Sequence, residues 1–351
     1  MEQIRPLPGN VNKIQAEKPG RTRIFVAVAV LLTVIIVGSA FLFGNRLRTM
    51  LSFTKAGAEP LYVMTYYGDY GFNEYLKTGL HHPVIHLAQN QGESPWACSV
   101  FSAWNEKANP LLGRNLDWDH RSAVLLFTNP PNGYRSVSML DPNFCGYNPP
   151  DYIPASFFDR TKLLITPWIS LDGMNEYGLA IGMMLVPSAE GSHDPHKMNI
   201  NPVDVIRLAL DYARNVEEAV ALINKYNVPE AKYHYLLADA SGDSAVIEFV
   251  EGRVEVIRTE EPWQVATNFQ IYGVKDGTLI CNRYATATQT LGKTGGIISD
   301  DDAMKLLKDI SQDTTMWSVV YNLSTGDILV RTGLDPARVS QVKRFKLKMK
   351  I

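Results

Sequence analysis

The sequence predicts an α+β layered domain, on three observations. Antiparallel hairpin signals crowd its second half, helical-period segments sit apart from them, and the strand-helix alternation of a doubly wound parallel sheet is missing. The hairpins read plainly. YHYLLADASGDSAVIEFV turns at Ser241-Gly242-Asp243, VIEFVEGRVEVIRT at Glu251-Gly252, and WSVVYNLSTGDILVRT at Ser324-Thr325-Gly326. Earlier, CSVFSAW, AVLLFTN (123–129) and LAIGMMLVP (179–187) have the length and β-branched or aromatic enrichment of buried strands. Between these groups NPVDVIRLALDYARNVEEAVALINKY takes a helical period, with Val203, Ile206 and Leu210 on one face. Asn201 is the expected N-cap, Pro202 lies in the first turn, and Asn215 caps a second helix. A last amphipathic helix fits DDDAMKLLKDI, its aspartates at the positive end.

The N-terminal part differs in character. Residues 1–23 are polar and proline-bearing and read as a short cytoplasmic tail. Ile24–Gly44 carries no charge and, at ~1.5 Å per residue, a helix of that length spans roughly 30 Å, the thickness of a bilayer core. Arg5, Lys13, Lys18, Arg21 and Arg23 before it outnumber Arg46, Arg48 and Lys55 after it, which points the N-terminus inward and the rest of the chain outside the cytoplasm. A cleaved signal peptide ending at Gly38-Ser39-Ala40 is the competing reading; continuation of the run through Phe41, Leu42 and Phe43 favours an anchor. Residues 45–57 read as a linker. From Pro60 the density of aromatics, Tyr62 to Tyr75, argues for packing instead.

Composition narrows the function. The 351 residues hold 34 basic and 36 acidic side chains, so there is no basic field for nucleic acid. Three cysteines, Cys98, Cys145 and Cys281, suggest neither a disulfide framework nor a zinc pair. His81, His82 and His86 lie close in sequence, but Pro83 interrupts any helix that would align them and no carboxylate joins them, so no metal or other cofactor is expected.

Alone, Cys98 would be assigned to a core. Its company changes that. LLGRNLDWD brings Arg114 and Asp117 downstream, and a guanidinium beside a thiol favours the thiolate that is the actual nucleophile. An odd separation along a strand would face the two oppositely, so a bend at Gly113 is expected. The base is supplied if Cys98 begins a chain, because a free α-amino group titrates near ~7.7–8.0. Asp117 would hold that amine.

With these residues in view, the sequence resembles the choloylglycine hydrolase and penicillin V acylase family, with acid ceramidase and acyltransferase relatives, from Cys98 to about Thr332. Cys98 with Arg114 and Asp117 matches the family's opening motif, DGMNEYGLAIG its second, YHYLLADASGDSAVIEF its typical hairpin, VATNFQ its third and NRY its fourth. The resemblance implies a four-layer αββα sandwich of the N-terminal-nucleophile (Ntn) hydrolases. It implies autocatalytic cutting of the Ala97/Cys98 bond, Asn175 and Asn268 at an oxyanion hole, and Arg283 as a second active-site arginine. It also implies a small N-acyl amide as substrate. The family's bacterial bile-salt and penicillin enzymes remove little before their cysteine; a 97-residue pro-segment is closer to acid ceramidase, where the cut piece stays associated. The organisation read here is a tail (1–23), an anchor (24–44), a linker and pro-segment (45–97) and a catalytic domain (98–351), with oligomeric state left open.

Other residues have plainer readings. His120 is a surface histidine unless it partners Cys98; Trp104, Trp118 and Trp317 are core unless they line an acyl pocket; Cys145 and Cys281 are structural thiols. An acyltransferase, in which an amine intercepts the acyl-enzyme, is the rival within enzymes. A silent surface binding protein is the rival outside them.

Overall fold

The computed structural model describes residues 21–57, 60–80, 82–83, 97–118, 122–147, 154, 156–332 and 341–350. Helix α1 (Arg21–Ser52) is followed by β1 (Thr54–Lys55), β2 (Leu61–Tyr66) and α2 (Phe72–Thr78). Next come β3 (Ala97–Trp104), β4 (Pro110–Asp117), β5 (Ala123–Thr128), β6 (Ser136–Leu140), β7 (Asp172–Asn175), β8 (Ala180–Leu185) and β9 (Met198–Asn199). Helices α3 (Asp204–Tyr212) and α4 (Val216–Ile223) precede β10 (Tyr226–Asn227), β11 (Tyr233–Ala238), β12 (Ser244–Val250), β13 (Arg253–Ile257) and β14 (Gln264–Ala266). The chain closes with α5 (Asn282–Thr294), α6 (Asp300–Asp309), β15 (Thr315–Asn322), β16 (Asp327–Thr332) and β17 (Lys343–Lys346).

Two large sheets result. One has nine strands in the order β1-β2-β5-β6-β7-β8-β11-β12-β13, the other six in the order β14-β3-β4-β15-β16-β17. Strands β3 and β4 meet β8 and β11 across the interior, so the sheets lie face to face. Strands β4, β8, β11, β12 and β15 are buried at every position because both their faces are covered. Helices α3 and α4 pack on the nine-stranded sheet, α5 and α6 on the six-stranded one. Alternate residues of β3 and β4 serve different layers: Cys98, Val100, Leu112 and Leu116 belong to the core between the sheets. Phe101, Ala103 and Leu111 join Leu291, Met304 and Leu307 under the helices. The α+β class expected from the hairpins is observed, and all three predicted turns join adjacent strands.

Local differences have physical causes. Helix α3 begins at Asp204 and not after an Asn201 cap; the Asp204 carboxylate instead accepts the Asn201 backbone N–H at 2.8 Å. Asn215 does cap α4, its Oδ1 accepting from Glu218 N at 2.9 Å. No bend occurs at Gly113, since β4 runs straight to Asp117; a Cβ at Gly113 would lie 2.4 Å from the Phe101 ring, so that glycine makes room for an aromatic neighbour.

The N-terminal region departs furthest from expectation. Asn45 onward belongs to the main compact unit, and Met1–Gly44 forms the other. Residues 45–57 were expected as a linker, yet Thr49, Met50 and Phe53 are buried, Phe53 stacks on Tyr62 at 5.0 Å, and Ser52 Oγ bonds both Thr65 N and Thr65 O at 2.9 Å. Isolated apolar residues at a helix end leave no periodic signal. The run Ile24–Gly44 lies within α1, but the side chains of 34–42 fall outside those described, and among the described residues no helix is long and apolar enough to cross a membrane. The expected transmembrane helix therefore gains no support from the fold.

Aromatics from 60–80 do pack. Strand β2 pairs in parallel with β5 along its whole length, and Phe72 and Tyr75 of α2 contact Trp168 at ring distances of 5.3 and 5.7 Å. His82 follows. It lies 4.9 Å from the Trp168 ring, with Nε2 at 2.9 Å from Asp204 Oδ1 and Nδ1 at 2.6 Å from Pro83 O. Both ring nitrogens face acceptors, and the Asn201 amide nitrogen also lies 3.0 Å from Nε2. Burial lowers the His82 pKa, but the hydrogen bond and charge of Asp204, with the Pro83 carbonyl, outweigh it and leave the pKa raised. Its contribution is complete below the ordinary value of about 6.5 and is lost as pH rises through the raised one. Asp204→Asn is expected to destabilise the protein by about 1–3 kcal/mol at pH 6, the gap to the parent narrowing toward pH 9 in denaturant unfolding. A gap independent of pH would remove the ion pair from this account.

Candidate active site

Cys98 is the second residue of β3 and is wholly buried in the uncut chain. On β4, Leu116 sits opposite Cys98 and Asp117 opposite Ala97. This register resolves the parity of Arg114 and Asp117 without a bend. Arg114 shares the inter-sheet face with the thiol, and its Nη2 lies 3.8 Å from Cys98 Sγ. Asp117, on the other face, stands beside the peptide unit that precedes the thiol.

Arg114 is fixed from four directions. Its Nη1 donates to the Asp172 carboxylate and to Leu171 O at 2.8 Å, and Nη2 donates to Met183 O at 2.7 Å as well as facing the sulfur. Asp172 in turn accepts from Trp317 Nε1 at 3.0 Å and Tyr321 Oη at 2.5 Å. Trp317 is thus a core residue with its N–H used, not a pocket wall.

Strand β14 pairs with β3 so that Ala266 faces Val100, and continuing that register brings Asn268 to Cys98. Asn268 Oδ1 accepts from Cys98 N at 2.5 Å, and its Nδ2 donates to Leu185 O at 2.8 Å. Arg283, in the first turn of α5, donates from Nη1 to Cys98 O and to Ser99 Oγ at 2.9 Å, and from Nη2 to Asn268 Oδ1 at 3.0 Å. Both backbone groups of Cys98 are therefore held by side chains.

Asp117 is half satisfied. Its Oδ1 accepts from Thr315 Oγ1 at 2.5 Å; its buried Oδ2 has no hydrogen-bond partner and lies 3.8 Å from Arg283 Nη1. Burial raises its pKa to about 6, against the lowering effects of Thr315, Arg283 and Arg114. The Cys98 thiol does not follow the simple expectation that a guanidinium lowers it. Burial pushes its pKa up, Arg114 opposes, Asp117 adds to the rise, and the net direction is upward. In the uncut chain Cys98 is a thiol.

The structure brings Cys98, Arg114, Asp117, Asn268 and Arg283 together, and it does not bring Asn175 to them. Asn175 closes the β7–β8 turn: Nδ2 donates to Leu210 O at 3.1 Å and Ala213 O at 2.7 Å, while Oδ1 accepts from Tyr177 N at 3.0 Å and Leu179 N at 3.2 Å. Both amide hydrogens are spent. The oxyanion role implied for Asn175 is corrected to a structural one.

Asp172 was not anticipated. The signal was present, as a single carboxylate inside the apolar stretch WISLDGM; such a group needs a buried cation, and Arg114 was already named. Thr315 and the carbonyls of Met183 and Leu185 carry no sequence signal. Among the described residues no group of three or more His, Cys, Asp or Glu side chains is placed to hold a metal. His81, His86 and His120 lie outside the described residues.

Asn175→Ala is expected to cost about 2–4 kcal/mol in unfolding free energy while kcat of the folded protein stays within about threefold. Loss of a true oxyanion donor would lower kcat by about 10²–10³. Asp172→Ala leaves a buried guanidinium unpaired and should cost about 3–5 kcal/mol, read by the same unfolding measurement. A small loss would show that Arg114 finds another counter-charge.

Known proteins place this geometry. A penicillin V acylase from Pectobacterium atrosepticum is 28% identical over 189 residues, 50% of this chain and 48% of that protein. An uncharacterised protein of Paramecium bursaria Chlorella virus 1 is 34% identical over 109 residues, 28% of this chain and 39% of that one. The chain thus spans less than half the length of these curated relatives. In fold it is similar to the penicillin V acylase of Agrobacterium tumefaciens, with a TM-score of 0.51 and 20% identity over 71% of this chain and 86% of that one. It is also similar to a variant of conjugated bile acid hydrolase from Clostridium perfringens, with a TM-score of 0.50 and 14% identity over 71% and 92% of the two chains. The family described as linear amide C-N hydrolases, choloylglycine hydrolase family, matches residues 98–290, more than half of the sequence, and the chain belongs to it.

Proposed function

We propose that this protein is a self-processing cysteine amidohydrolase that splits the amide bond of a small acylated amine through a thioester on Cys98. The observation that carries the reading is the Ala97–Asp117 register. It pairs Asp117, whose buried Oδ2 lacks a hydrogen-bond partner, with Ala97, the residue whose removal turns the Cys98 nitrogen into an ammonium. An orphaned buried acceptor is costly, and a new α-amino group supplies its donor.

Processing follows from the same contacts. Cys98 Sγ attacks the Ala97 carbonyl carbon; the Cys98 nitrogen leaves as an amine, taking a proton, and the acyl group moves to sulfur. Water then hydrolyses the thioester, giving an Ala97 carboxylate and a free thiol. Arg283 and Asn268 grip the Cys98 backbone during this step. In turnover the α-amine takes the thiol proton, Sγ attacks the substrate carbonyl, and the amine passes the proton to the leaving nitrogen. Arg114 favours the thiolate once burial is relieved. Asn268 Nδ2 has a second hydrogen beyond that on Leu185 O, and it serves the oxyanion. Water releases the acyl group.

Residues 45–80 stay with the catalytic part after the cut, since β2 lies inside the nine-stranded sheet and its loss would bare the edge of β5. The charge bias around Ile24–Gly44 supports an anchored, extracytoplasmic enzyme.

Intact-mass and N-terminal sequencing should find a new terminus at Cys98 that Cys98→Ala abolishes together with amidase activity. An uncut chain with full activity would sink the reading. Protonation of the α-amine alone makes the rate fall about tenfold per pH unit below its pKa, and the fall should steepen once Asp117, whose raised pKa in the uncut chain the new ammonium beside it lowers, is protonated too. An Asp117→Asn enzyme that is cut and turns over at the parent rate would exclude Asp117 from holding the ammonium.

A further inference from the structure

Asn268 lies in line with the β14–β3 register but two residues past the last ladder pair at Ala266, so the sheet points it toward Cys98 without holding it there. Two buried side chains from the opposite sheet hold it on both sides. His234 of β11 directs Nε2 to Thr267 O at 2.6 Å, immediately before Asn268. Its Nδ1 lies 2.9 Å from Glu248 Oε1 on β12. Glu248 accepts the backbone N–H groups that follow, Ile271 N on Oε1 at 2.7 Å and Tyr272 N on Oε2 at 2.9 Å. Both side chains are all but sealed from solvent, His234 at 1% and Glu248 at 2% exposure.

Thr267 O can only accept, so Nε2 carries a hydrogen, and Glu248 joins Nδ1 to the two backbone N–H groups it accepts. A buried histidine–carboxylate pair is expensive to assemble and is weak evidence for stability. What it secures is geometry: three bonds pin residues 267–272, with Asn268 between the pinned ends.

We propose that His234 and Glu248 are a positioning pair for Asn268, holding its amide where it takes Cys98 N in the uncut chain and the oxyanion in turnover. The inference rests on the reading of Asn268 as the oxyanion donor. The pair touches neither Cys98 nor substrate. It acts through the 267–272 backbone, reaching from the nine-stranded sheet to the edge of the six-stranded one.

Two variants of one residue separate positioning from folding. His234→Asn keeps a donor near Glu248 but cannot reach Thr267 O; His234→Gln keeps a donor near Thr267 O and gives up Glu248. His234→Asn should lower kcat on the order of 10²-fold with KM within about threefold, as a misplaced oxyanion donor does. His234→Gln should recover kcat to within about fivefold of the parent. In an Asn268→Ala background His234→Asn should cost less than about twofold more, because the two share one path. Hydrogen exchange at Ile271 and Tyr272 should quicken about tenfold or more in Glu248→Gln, a readout that needs no activity. Equal kcat losses in His234→Asn and His234→Gln, matching their loss of thermal stability, would leave a purely structural pair and overturn the proposal. Faster exchange with unchanged kcat would overturn it as well. An active Cys98→Ala protein would instead defeat the underlying reading, with the exchange result still reporting whether the clamp exists.

Discussion

Everything near Cys98 depends on one buried ion pair. Arg114 comes from β4 of the six-stranded sheet, and Asp172 from β7 of the nine-stranded sheet, and both are sealed from solvent. A lone guanidinium in that layer would cost far more than packing returns, so the charge must be answered across the gap between the sheets. Leu171 O and Met183 O take further hydrogens of its Nη1 and Nη2 from the same side. Trp317 and Tyr321 of β15 complete the acceptors of Asp172. The pair thereby fixes how the sheets register where the thiol sits. Tyr321, its pKa pushed well above the ordinary value by burial and then by Asp172, stays a donor throughout.

Strand periodicity then divides the labour. One face of β3 and β4 carries the thiol and its guanidinium into the inter-sheet layer; the other carries Ser99, Asn115 and Asp117 toward α5 and α6. Asn115 Nδ2 donates to Leu307 O at 2.7 Å, and Ser99 receives Arg283. The odd spacing of Arg114 and Asp117, which in a single strand looks like a conflict, puts Arg114 on the face of the sulfur and Asp117 on the opposite face, paired with Ala97, and no bend is needed. Strand β8 joins the two halves, giving Met183 O to Arg114 and Leu185 O to Asn268.

Much of this was legible in the sequence, for reasons that can be named. Hairpin turns are local, and Glu251 and Gly252 at positive φ announce theirs through composition alone. Cys98, Arg114 and Asp117 were legible as chemistry, since a thiol, a fixed cation and an acid imply one another, whereas Asn268 and Arg283 came only through the family resemblance. Asn175 was misplaced because an asparagine in a turn and an asparagine at an oxyanion look alike in one dimension; only its four backbone contacts tell them apart. Asp172, Thr315, His234 and Glu248 act across sheets, and sheet-to-sheet distance leaves no trace in local spacing. The burial of residues 45–57 was hidden for the opposite reason, a few apolar contacts scattered in polar sequence.

The same fold logic bears on what cutting the chain would accomplish. In the proposed mechanism the piece before Cys98 blocks the amine chemically, yet its residues 61–66 form an inner strand, and Phe72 and Tyr75 are buried against Trp168. Fully burying a large apolar side chain is worth about 1.5–3 kcal/mol, so expelling several together would oppose release far more strongly than one severed bond favours it. The cut would therefore act locally at Ala97 and leave the sheet whole. His82, paired with Asp204 at 2.9 Å, helps to fasten the retained part. Processing on these terms is a change of covalent state at one nitrogen. The scaffold that aims Arg114, Asp117 and Asn268 at Cys98 is the same before and after it.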